Sequence, residues 1–217
     1  MLLLLEQKDL LLQEMQHRIA NSLQIIASIL LLKASTVQSE ETRQHLQDAH
    51  KRVMSVAAVQ HHLRASGHGD QIEVTPYLSK LCESLAQSMI GDSRPITVEV
   101  VGDGDTVSST NAVSIGLIVT EGVLNALKHA FHGDKLDGRI VIAYKVNGSD
   151  WKLSIADSGR GMHREGASAA KAGLGTSIVN ALAQQLEAVV DVVGGADGTT
   201  VTISHTETTN TQLPRAA

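Results

Sequence analysis

The sequence predicts an α+β protein in which a hairpin of two long helices precedes an α/β sandwich. Up to Ser66 the 217-residue chain contains no proline or glycine, and its apolar residues recur at helical spacing. Beyond that point short alternating apolar runs, typical of strands, separate further helical segments. Aromatic residues make up only 2% of the chain. The core must therefore be built from aliphatic side chains, which suit helices at least as well as sheets.

Composition and charge exclude several classes of protein. Hydrophobic residues are 42% and charged residues 19%, which is typical of a folded chain. A net charge of -5 argues against nucleic acid as a partner. The single cysteine, Cys82, excludes an intrachain disulfide and a cysteine-based zinc site. No unbroken apolar run approaches the roughly 18–20 residues that cross a bilayer, and the N-terminus lacks a signal-peptide pattern. We therefore expect a cytoplasmic protein with no membrane segment in this chain.

Residues 1–66 are expected to form the hairpin, with helices over 2–33 and 39–65. Ser39, followed by two glutamates, predicts the N-terminal cap of the second helix. A hairpin with one apolar stripe on each helix has too little partner surface to bury both stripes. The sequence therefore predicts a homodimer, in which two hairpins pair into a four-helix bundle. The first helix's stripe consists of Met15, Ile19, Leu23, Ile26 and Leu30.

A linker over residues 67–71 is expected to lead into a second domain over 72–205, followed by a polar tail, 206–217, that we expect to be disordered. Thr75 is predicted to cap the first helix of this domain, with Pro76 at its first position. The mixture of elements predicts a mixed sheet with helices on one face. The predicted helices cover 75–90, 109–131 and 174–186, and the predicted strands cover 96–101, 140–146, 151–156, 189–193 and 200–204.

Four polar residues lie toward the end of the helix predicted from residue 109: Glu121, Asn125, Lys128 and His129. Glu121, Asn125 and Lys128 follow at intervals of four and three, so they share one helix face. An asparagine amide oxygen suits Mg²⁺, which binds nucleotides through few protein oxygens. A carboxylate one turn earlier can hold a metal-bound water, and a lysine one turn later can meet phosphate. Taken alone, these residues are also compatible with the polar face of an amphipathic helix.

Glycine-rich turns add a second set of candidates. Asp157 ends a predicted strand and is followed by Gly159 and Gly161, which would let a flat ring approach the backbone while the carboxylate accepts from an amine. Gly173 and Gly175 open the next helix, whose free N–H groups form a phosphate cradle. A further glycine and threonine pair precedes the last strand. Each turn alone could be a plain connection, but the four motifs in this order are specific.

These four motifs resemble the N, G1, G2 and G3 boxes of the GHKL-type ATPases, over about residues 72–205. The resemblance implies a Bergerat fold that binds ATP and Mg²⁺, with Asn125 as the Mg²⁺ ligand and Glu121 holding the ion through water. Asp157 would bind the adenine amino group, and residues 162–172 would form a short lid over ATP. The implied nucleotide-binding residues are Asn125, Lys128, His129, Asp157, Gly159, Gly161, Gly173, Leu174, Gly175, Thr176 and Thr200.

His17 lies nearly opposite the apolar stripe of the first helix at 100° per residue. Residues 16–24, Gln-His-Arg-Ile-Ala-Asn-Ser-Leu-Gln, resemble the phosphoacceptor box of HWE-like (HisKA type two) sensor histidine kinases, which pair such a hairpin with a GHKL domain. This resemblance implies that His17 is autophosphorylated from ATP and passes its phosphoryl group to an aspartate of a response-regulator receiver domain. The two domains are then expected to move about the linker, and an input domain is expected to precede the first helix.

The residue after His17 is Arg18, where more familiar histidine kinases carry an acid that helps deprotonate the imidazole. The base must come from elsewhere, and Glu14 and Glu121 are the candidates. Three other functions stay open from the sequence. They are a histidine phosphotransfer protein of the same architecture that does not use ATP, a GHKL serine kinase of the anti-sigma-factor type, and an interaction scaffold that binds nucleotide as a structural ligand.

Overall fold

The computed structural model of the protein describes residues 2–65, 71–90, 95–131, 137–161 and 174–207. Twelve elements follow one another along these residues, and the order of the predicted helices and strands is confirmed. The helices are α1 (Leu2–Thr36), α2 (Glu40–Ala65), α3 (Val74–Met89), α4 (Ser109–His129) and α5 (Leu174–Gln185). The strands are β1 (Gln71–Glu73), β2 (Ile96–Gly102), β3 (Thr106–Ser108), β4 (Gly138–Asn147), β5 (Asp150–Asp157), β6 (Val189–Gly195) and β7 (Gly198–His205).

Five of the strands form one mixed sheet in the order β2-β4-β5-β7-β6. Strands β2 and β4 run parallel, and the remaining neighbours are antiparallel. The parallel pair is joined through α4, whereas the antiparallel pairs β4–β5 and β6–β7 are joined by tight turns. The predicted mixed sheet with helices packed on it is therefore confirmed.

The core lies between the sheet and helices α3, α4 and α5. Along β4, Ile140, Ile142 and Tyr144 are fully buried and alternate with more exposed residues, as expected for a strand with one covered face. Opposite them on β5, Leu153 and Ile155 are buried on the same face. Aliphatic side chains supply most of this core, as the low aromatic content predicts.

A small antiparallel sheet of β1 and β3 is present that the sequence analysis did not predict. The predicted cap at Thr75 is wrong: α3 begins at Val74, and its N-cap residue is Glu73, which makes no side-chain capping hydrogen bond. The Thr75 hydroxyl donates instead to the carbonyl of Asp103, 2.9 Å away. The cap predicted at Ser39 is confirmed, because its Oγ accepts from the Thr42 amide at 3.2 Å.

Helix α1 has two apolar faces rather than the single stripe that the sequence predicts. Ala27 and Ala34 are buried against α2, with Leu23 and Leu30 half-buried beside them. Atom Nδ1 of His50 on α2 lies 2.9 Å from the Ala27 carbonyl oxygen. The second apolar face is exposed in the single chain and is formed by Met15, Ile19, Ile25, Ile26, Ile29 and Leu32.

Helix α2 is shared between the hairpin and the second domain. One of its faces packs on α1, and another packs on α3 and α4. Val59 of α2 is completely buried in the same core as Tyr77 of α3 and Ile115 of α4. The domain boundary near residue 66 stays a prediction. The linker residues 67–70 and tail residues 208–217 lie outside the described part of the chain, and Gln71 begins β1.

Two helical segments of the described residues are long and apolar enough to cross a membrane by length and composition: Ser109–His129, and Arg18–Thr36 within α1. In the first segment 61% of the residues are buried inside the domain. This segment is therefore apolar because it is a helix of the core. The second is 11% buried and carries the exposed apolar face described above. The absence of a membrane segment therefore stays a prediction.

We predict that Cys82 does not react with thiol reagents in the native protein. The residue is 2% exposed on α3, and burial, with a smaller contribution from Glu83, raises the pKa of its thiol to about 12. Because the thiolate is the reactive form, labelling should begin only on unfolding. Titration with a disulfide reagent before and after adding denaturant measures this; stoichiometric labelling of the folded protein would contradict it.

Candidate nucleotide-binding site

Helix α4 carries the first set of predicted site residues. Its N-terminus is capped by Ser108, whose Oγ accepts from the Asn111 amide at 3.3 Å. Toward its other end Glu121 is buried, Asn125 is half-buried and Lys128 is exposed. The four- and three-residue spacings place these three side chains along one side of the helix, as predicted. His129, the last residue of α4, is also exposed.

Asp157 ends β5 and holds the turn that follows. Its Oδ1 accepts from the Gly159 amide at 2.9 Å and from the Thr199 amide at 3.3 Å. The carboxylate therefore joins the turn after β5 to the beginning of β7. Its other oxygen has no hydrogen bond to the described residues in this arrangement, which leaves an acceptor for an amine donor such as that of adenine.

Three glycines around Asp157 are required by close backbone approach. Gly161 has φ +67°, and a Cβ there would overlap the Gly195 carbonyl oxygen. Gly198 has φ +129°, and a Cβ there would overlap the Asp157 carbonyl oxygen. At Gly159 a Cβ would lie 2.6 Å from the Ala130 carbonyl oxygen. The glycine pattern identified in the sequence therefore reflects a turn packed tightly between α4 and the β6–β7 connection.

Gly175 brings the beginning of α5 against α4. A Cβ on Gly175 would lie 2.7 Å from Glu121 Oε2 and 3.6 Å from Asn125 Nδ2. The structure thus places the second glycine of the predicted phosphate cradle directly beside the predicted Mg²⁺ ligand and its neighbouring carboxylate. Gly175 is 50 or more positions away from both of these residues in the chain, and only the fold brings it to them.

Two charged residues of α2 also reach this cluster, and the sequence analysis missed both. Arg52 Nε lies 3.0 Å from Oε1 and 3.2 Å from Oε2 of Glu121. Lys128 Nζ donates to Asp48 Oδ2 at 2.5 Å. Asp48 and Arg52 are one turn apart on α2, which is an ordinary spacing for opposite charges on a solvated helix. No signal in the sequence separates this pair from such a surface pair.

Asp48 is held in its charged form. Burial raises the pKa of its carboxyl, but the hydrogen bond and charge of Lys128, with contributions from Gln44 and Lys51, outweigh this effect and leave the pKa below its ordinary value. The aspartate is therefore negatively charged at neutral pH, and it attracts the lysine that the sequence predicts for phosphate.

Some predicted residues are not brought to this cluster. Thr199 pairs directly with Asp157 in the sheet, so Thr200, the next residue, points to the opposite face. Thr199 is the threonine at the site, and sequence reasoning selected its neighbour. Thr176 is exposed on α5. Gly173 and the predicted lid, 162–172, lie outside the described residues, and Leu174 is described as the first residue of α5 without its side chain.

His17 lies within α1, and its side chain is outside the described part of the structure. Its neighbour Arg18 is exposed and forms an ion pair with Glu14, with Nη2 2.8 Å from Oε1. Both candidate bases are thus ion-paired in this arrangement, Glu14 with Arg18 and Glu121 with Arg52.

The residues present fit a nucleotide-bound magnesium ion rather than a site made by protein alone. Among the described residues, no group of three or more His, Cys, Asp or Glu side chains could hold a metal ion. Asn125 supplies one amide oxygen and Glu121 one carboxylate beside the phosphate cradle. Mg²⁺ retains water and binds phosphates, so such a sparse set of ligands suits it.

The fold and site define a helical hairpin joined to a nucleotide-binding α/β sandwich. Comparison with known proteins gives the family. Residues 14–89 match the family model described as histidine kinase, and residues 110–209 match that described as histidine kinase-, DNA gyrase B- and HSP90-like ATPase. The chain belongs to the histidine kinases that pair these two parts.

Related proteins carry the same combination. The sensor histidine kinase PdtaS of Mycobacterium tuberculosis is 28% identical over 175 residues, which are 81% of this chain and 34% of that protein. Blue-light-activated histidine kinase 2 of Erythrobacter litoralis is 29% identical over 200 residues, covering 90% of this chain and 56% of that protein. The chain therefore spans about a third to a half of these relatives' lengths.

A solved structure supports the arrangement of both parts. The histidine kinase domain of the Erythrobacter litoralis EL346 blue-light activated histidine kinase superposes with a TM-score of 0.63 and 25% sequence identity, covering 85% of this chain and 94% of that one. The similarity extends through the hairpin and the sandwich.

We predict that Gly161→Ala destabilises the protein by about 3 kcal/mol or more, because backbone strain at positive φ adds to overlap with the Gly195 carbonyl. Gly148→Ala is the matched control: its φ is +65°, but a Cβ there meets no other atom within 4 Å. It should cost only the strain, about 1–2 kcal/mol. Denaturant unfolding of both variants measures the difference, and equal losses would contradict the close approach.

Proposed function

We propose that this protein is an ATP-dependent histidine kinase of two-component signalling that autophosphorylates His17 and passes the phosphoryl group to an aspartate of a receiver domain. The observation that carries the proposal is that Gly175 lies against Glu121 and Asn125 while the Asp157 turn packs on the end of the same helix, in a chain that also carries the hairpin. This arrangement provides an amine acceptor, an amide oxygen and a helix N-terminus for the three parts of Mg²⁺·ATP.

Each residue has a distinct role in binding the nucleotide. Asp157 accepts from the adenine amine, while Gly159 and Gly161 allow the turn that positions Asp157 to pack against α4 and the β6–β7 connection. Asn125 and Glu121 orient the metal-bound triphosphate, and the N-terminal turn of α5 at Gly175 donates to phosphate oxygens. A bound Mg²⁺ would neutralise charge that develops during transfer. Positioning and charge neutralisation supply most of the acceleration in phosphoryl transfer, and these groups provide both.

The nucleophile is a ring nitrogen of His17. A neutral imidazole is a competent nucleophile, so only the attacking nitrogen has to be free of its proton. Glu14 and Glu121 both remain candidate bases. Glu121 must first leave Arg52 to accept a proton, because that arginine contacts both of its oxygens.

The alternatives explain the residues less completely. A phosphotransfer protein that does not use ATP has no need for Gly175 beside Asn125, or for an Asp157 turn packed on the end of the same helix. A serine kinase of the anti-sigma-factor type has no need for the helical hairpin that matches the histidine kinase model. A scaffold that binds nucleotide as a structural ligand has no need for a phosphoacceptor histidine. The kinase proposal uses both parts of the chain.

Labelled ATP tests the proposal. Incubated with Mg²⁺ and γ-labelled ATP, the protein should acquire label that is lost in acid and retained in base, as phosphohistidine is. His17→Ala should abolish labelling because the acceptor is removed, and Asn125→Ala should lower its rate by about 100-fold or more because the triphosphate loses its metal ligand. His45→Ala is the control, since this histidine on α2 is exposed and outside the site.

Acid-stable label would indicate a hydroxyl acceptor and a serine kinase. Nucleotide binding without any label would support a scaffold, and no nucleotide binding would support a phosphotransfer protein. Label that moves from His17 to a receiver domain, and fails to move when the receiver's aspartate is substituted, tests the second step.

The homodimer and the cytoplasmic location belong to the same proposal. The exposed face of α1 carries Ile25, Ile29 and Leu32, which are 61%, 52% and 66% exposed. Three polar residues, Asn21, Gln24 and Ser28, line a groove together with these apolar residues. A mixed aliphatic and polar face of this kind fits a second hairpin better than lipid tails, because its polar groups can be paired across a helical bundle.

We predict that Ile29→Glu raises the dimer dissociation constant by about 100-fold, because a charge would be placed at the centre of the face that the dimer would bury. His45→Glu on the exposed side of α2 is the control. Sedimentation velocity over a range of concentrations measures the change. A wild-type protein that stays monomeric would overturn the dimer, and one that sediments with lipid vesicles through this face would indicate a membrane contact.

A further inference from the structure

One face of α2 contacts the ATP-binding domain along three turns. It is formed by Asp48, Arg52, Ser55 and Val59, which follow at intervals of four, three and four. The facing helix is α4, and the pairs run in opposite chain directions: Asp48 meets Lys128, Arg52 meets Glu121, and Val59 packs near Gly116. The two helices are therefore antiparallel, with one charged and one apolar end to their contact.

The apolar end is closely packed. Val59 is fully buried, and a Cβ on Gly116 would overlap the Tyr77 hydroxyl and lie 3.2 Å from Val59 Cγ2. Ser55 lies on α2 between this end and the charged end. It is 4% exposed, and its Oγ donates to the carbonyl of Arg52, which belongs to the charged end, at 2.7 Å. The apolar end around Val59 therefore resembles the interior of a domain.

The charged end coincides with the proposed nucleotide site. Arg52 contacts both oxygens of Glu121, and its Nη2 would lie 3.1 Å from a Cβ on Gly175. The guanidinium thus occupies space between the proposed metal-water ligand and the phosphate cradle. Asp48 holds Lys128, the residue proposed to meet phosphate. Glu121 and Lys128, the two charged residues proposed to bind Mg²⁺·ATP, are therefore each paired with an opposite charge on α2 of the hairpin.

We propose that Asp48 and Arg52 form a latch that competes with Mg²⁺·nucleotide for Glu121 and Lys128. The latch rests on the proposed function of the site and adds its regulation. A magnesium ion and an arginine cannot both occupy the same side of the Glu121 carboxylate, and Lys128 cannot pair fully with both Asp48 and a phosphate. Nucleotide binding therefore opens the charged end of the α2–α4 contact, while the apolar end stays packed.

Competition of this kind is reciprocal. If nucleotide releases α2 from α4, then closure of the latch and nucleotide binding weaken each other by the same factor, and a change that weakens the latch strengthens nucleotide binding. A protein that lacks the latch should bind Mg²⁺·nucleotide more tightly and should hold its α2–α4 contact more loosely when no nucleotide is present. Both effects can be measured on the same purified chain.

The first measurement is the dissociation constant for Mg²⁺ with a non-hydrolysable ATP analogue. Arg52→Gln should lower it by about tenfold, within the usual range of coupling between sites. Asp48→Asn should lower it by about twofold, because the Asp48–Lys128 pair is more exposed. Lys51→Gln is the matched control, since it removes one positive charge from the adjacent, exposed residue of the same helix.

The second measurement reports opening directly. Ser55→Cys places a thiol inside the α2–α4 contact, while the buried Cys82 serves as an internal standard for the folded protein. Labelling of residue 55 should accelerate several-fold when Mg²⁺ and the analogue are added. In the double variant with Arg52→Gln, residue 55 should be labelled equally fast without nucleotide. In the double variant with Lys51→Gln, labelling without nucleotide should stay slow.

The outcomes separate the latch from the proposed function. No analogue binding by any form of the protein overturns both. Binding that is equal in wild type, Arg52→Gln and Asp48→Asn overturns the latch alone, as does unchanged labelling of residue 55. Weaker binding in Arg52→Gln also overturns it and would make Arg52 a phosphate ligand. If Arg52→Gln does not fold because Glu121 is left unpaired, Asp48→Asn decides by itself.

Discussion

The ion pair between Arg52 and Glu121 connects the two parts of this molecule. Glu121 is 5% exposed on a helix whose other buried residues are mostly apolar, and an unpaired carboxylate at that position would be strongly destabilising. The hairpin supplies the compensating charge, so α2 belongs to the surroundings of the ATP-binding domain as much as to the hairpin. A carboxylate that a nucleotide-bound metal could neutralise is neutralised instead by the protein's own arginine.

The fold was largely predictable because its elements are long and their patterns are regular. The alternation along β4 and β5 and the helical spacing in α1 each extend over several repeats, so single exceptions do not obscure them. Strands β1 and β3 have three residues each, which is too short for a pattern. Thr75 is a good capping residue by type, but tertiary structure gave its hydroxyl another acceptor on Asp103. The single stripe assigned to α1 was wrong because only part of it packs on α2, while Met15, Ile19 and Ile26 lie on a second, exposed apolar face.

The site was predictable where its chemistry is local. Asn125 and Glu121 are one turn apart, and Asp157 lies within four residues of its two glycines, so spacing alone indicates their relation. Thr199 and Thr200 differ only in the face of the strand that each occupies, and this depends on sheet register. Arg52 and Asp48 lie 69 and 80 residues from their partners. Nothing in a single sequence relates positions so far apart, and only the packing of α2 on α4 brings them together.

The tight packing at Gly116 determines how the two helices can move against each other. Val59 lies seven residues beyond Arg52 on α2, a lever of roughly 10 Å at the helical rise. If Val59 acts as the pivot, a tilt of about 20° would lift the guanidinium several ångströms away from the carboxylate, which is comparable to the ordinary scatter among helix crossing angles. The ATP-binding domain can thus exchange Arg52 for a nucleotide by tilting about Val59. It need not separate from the hairpin, and it need not move far about the linker.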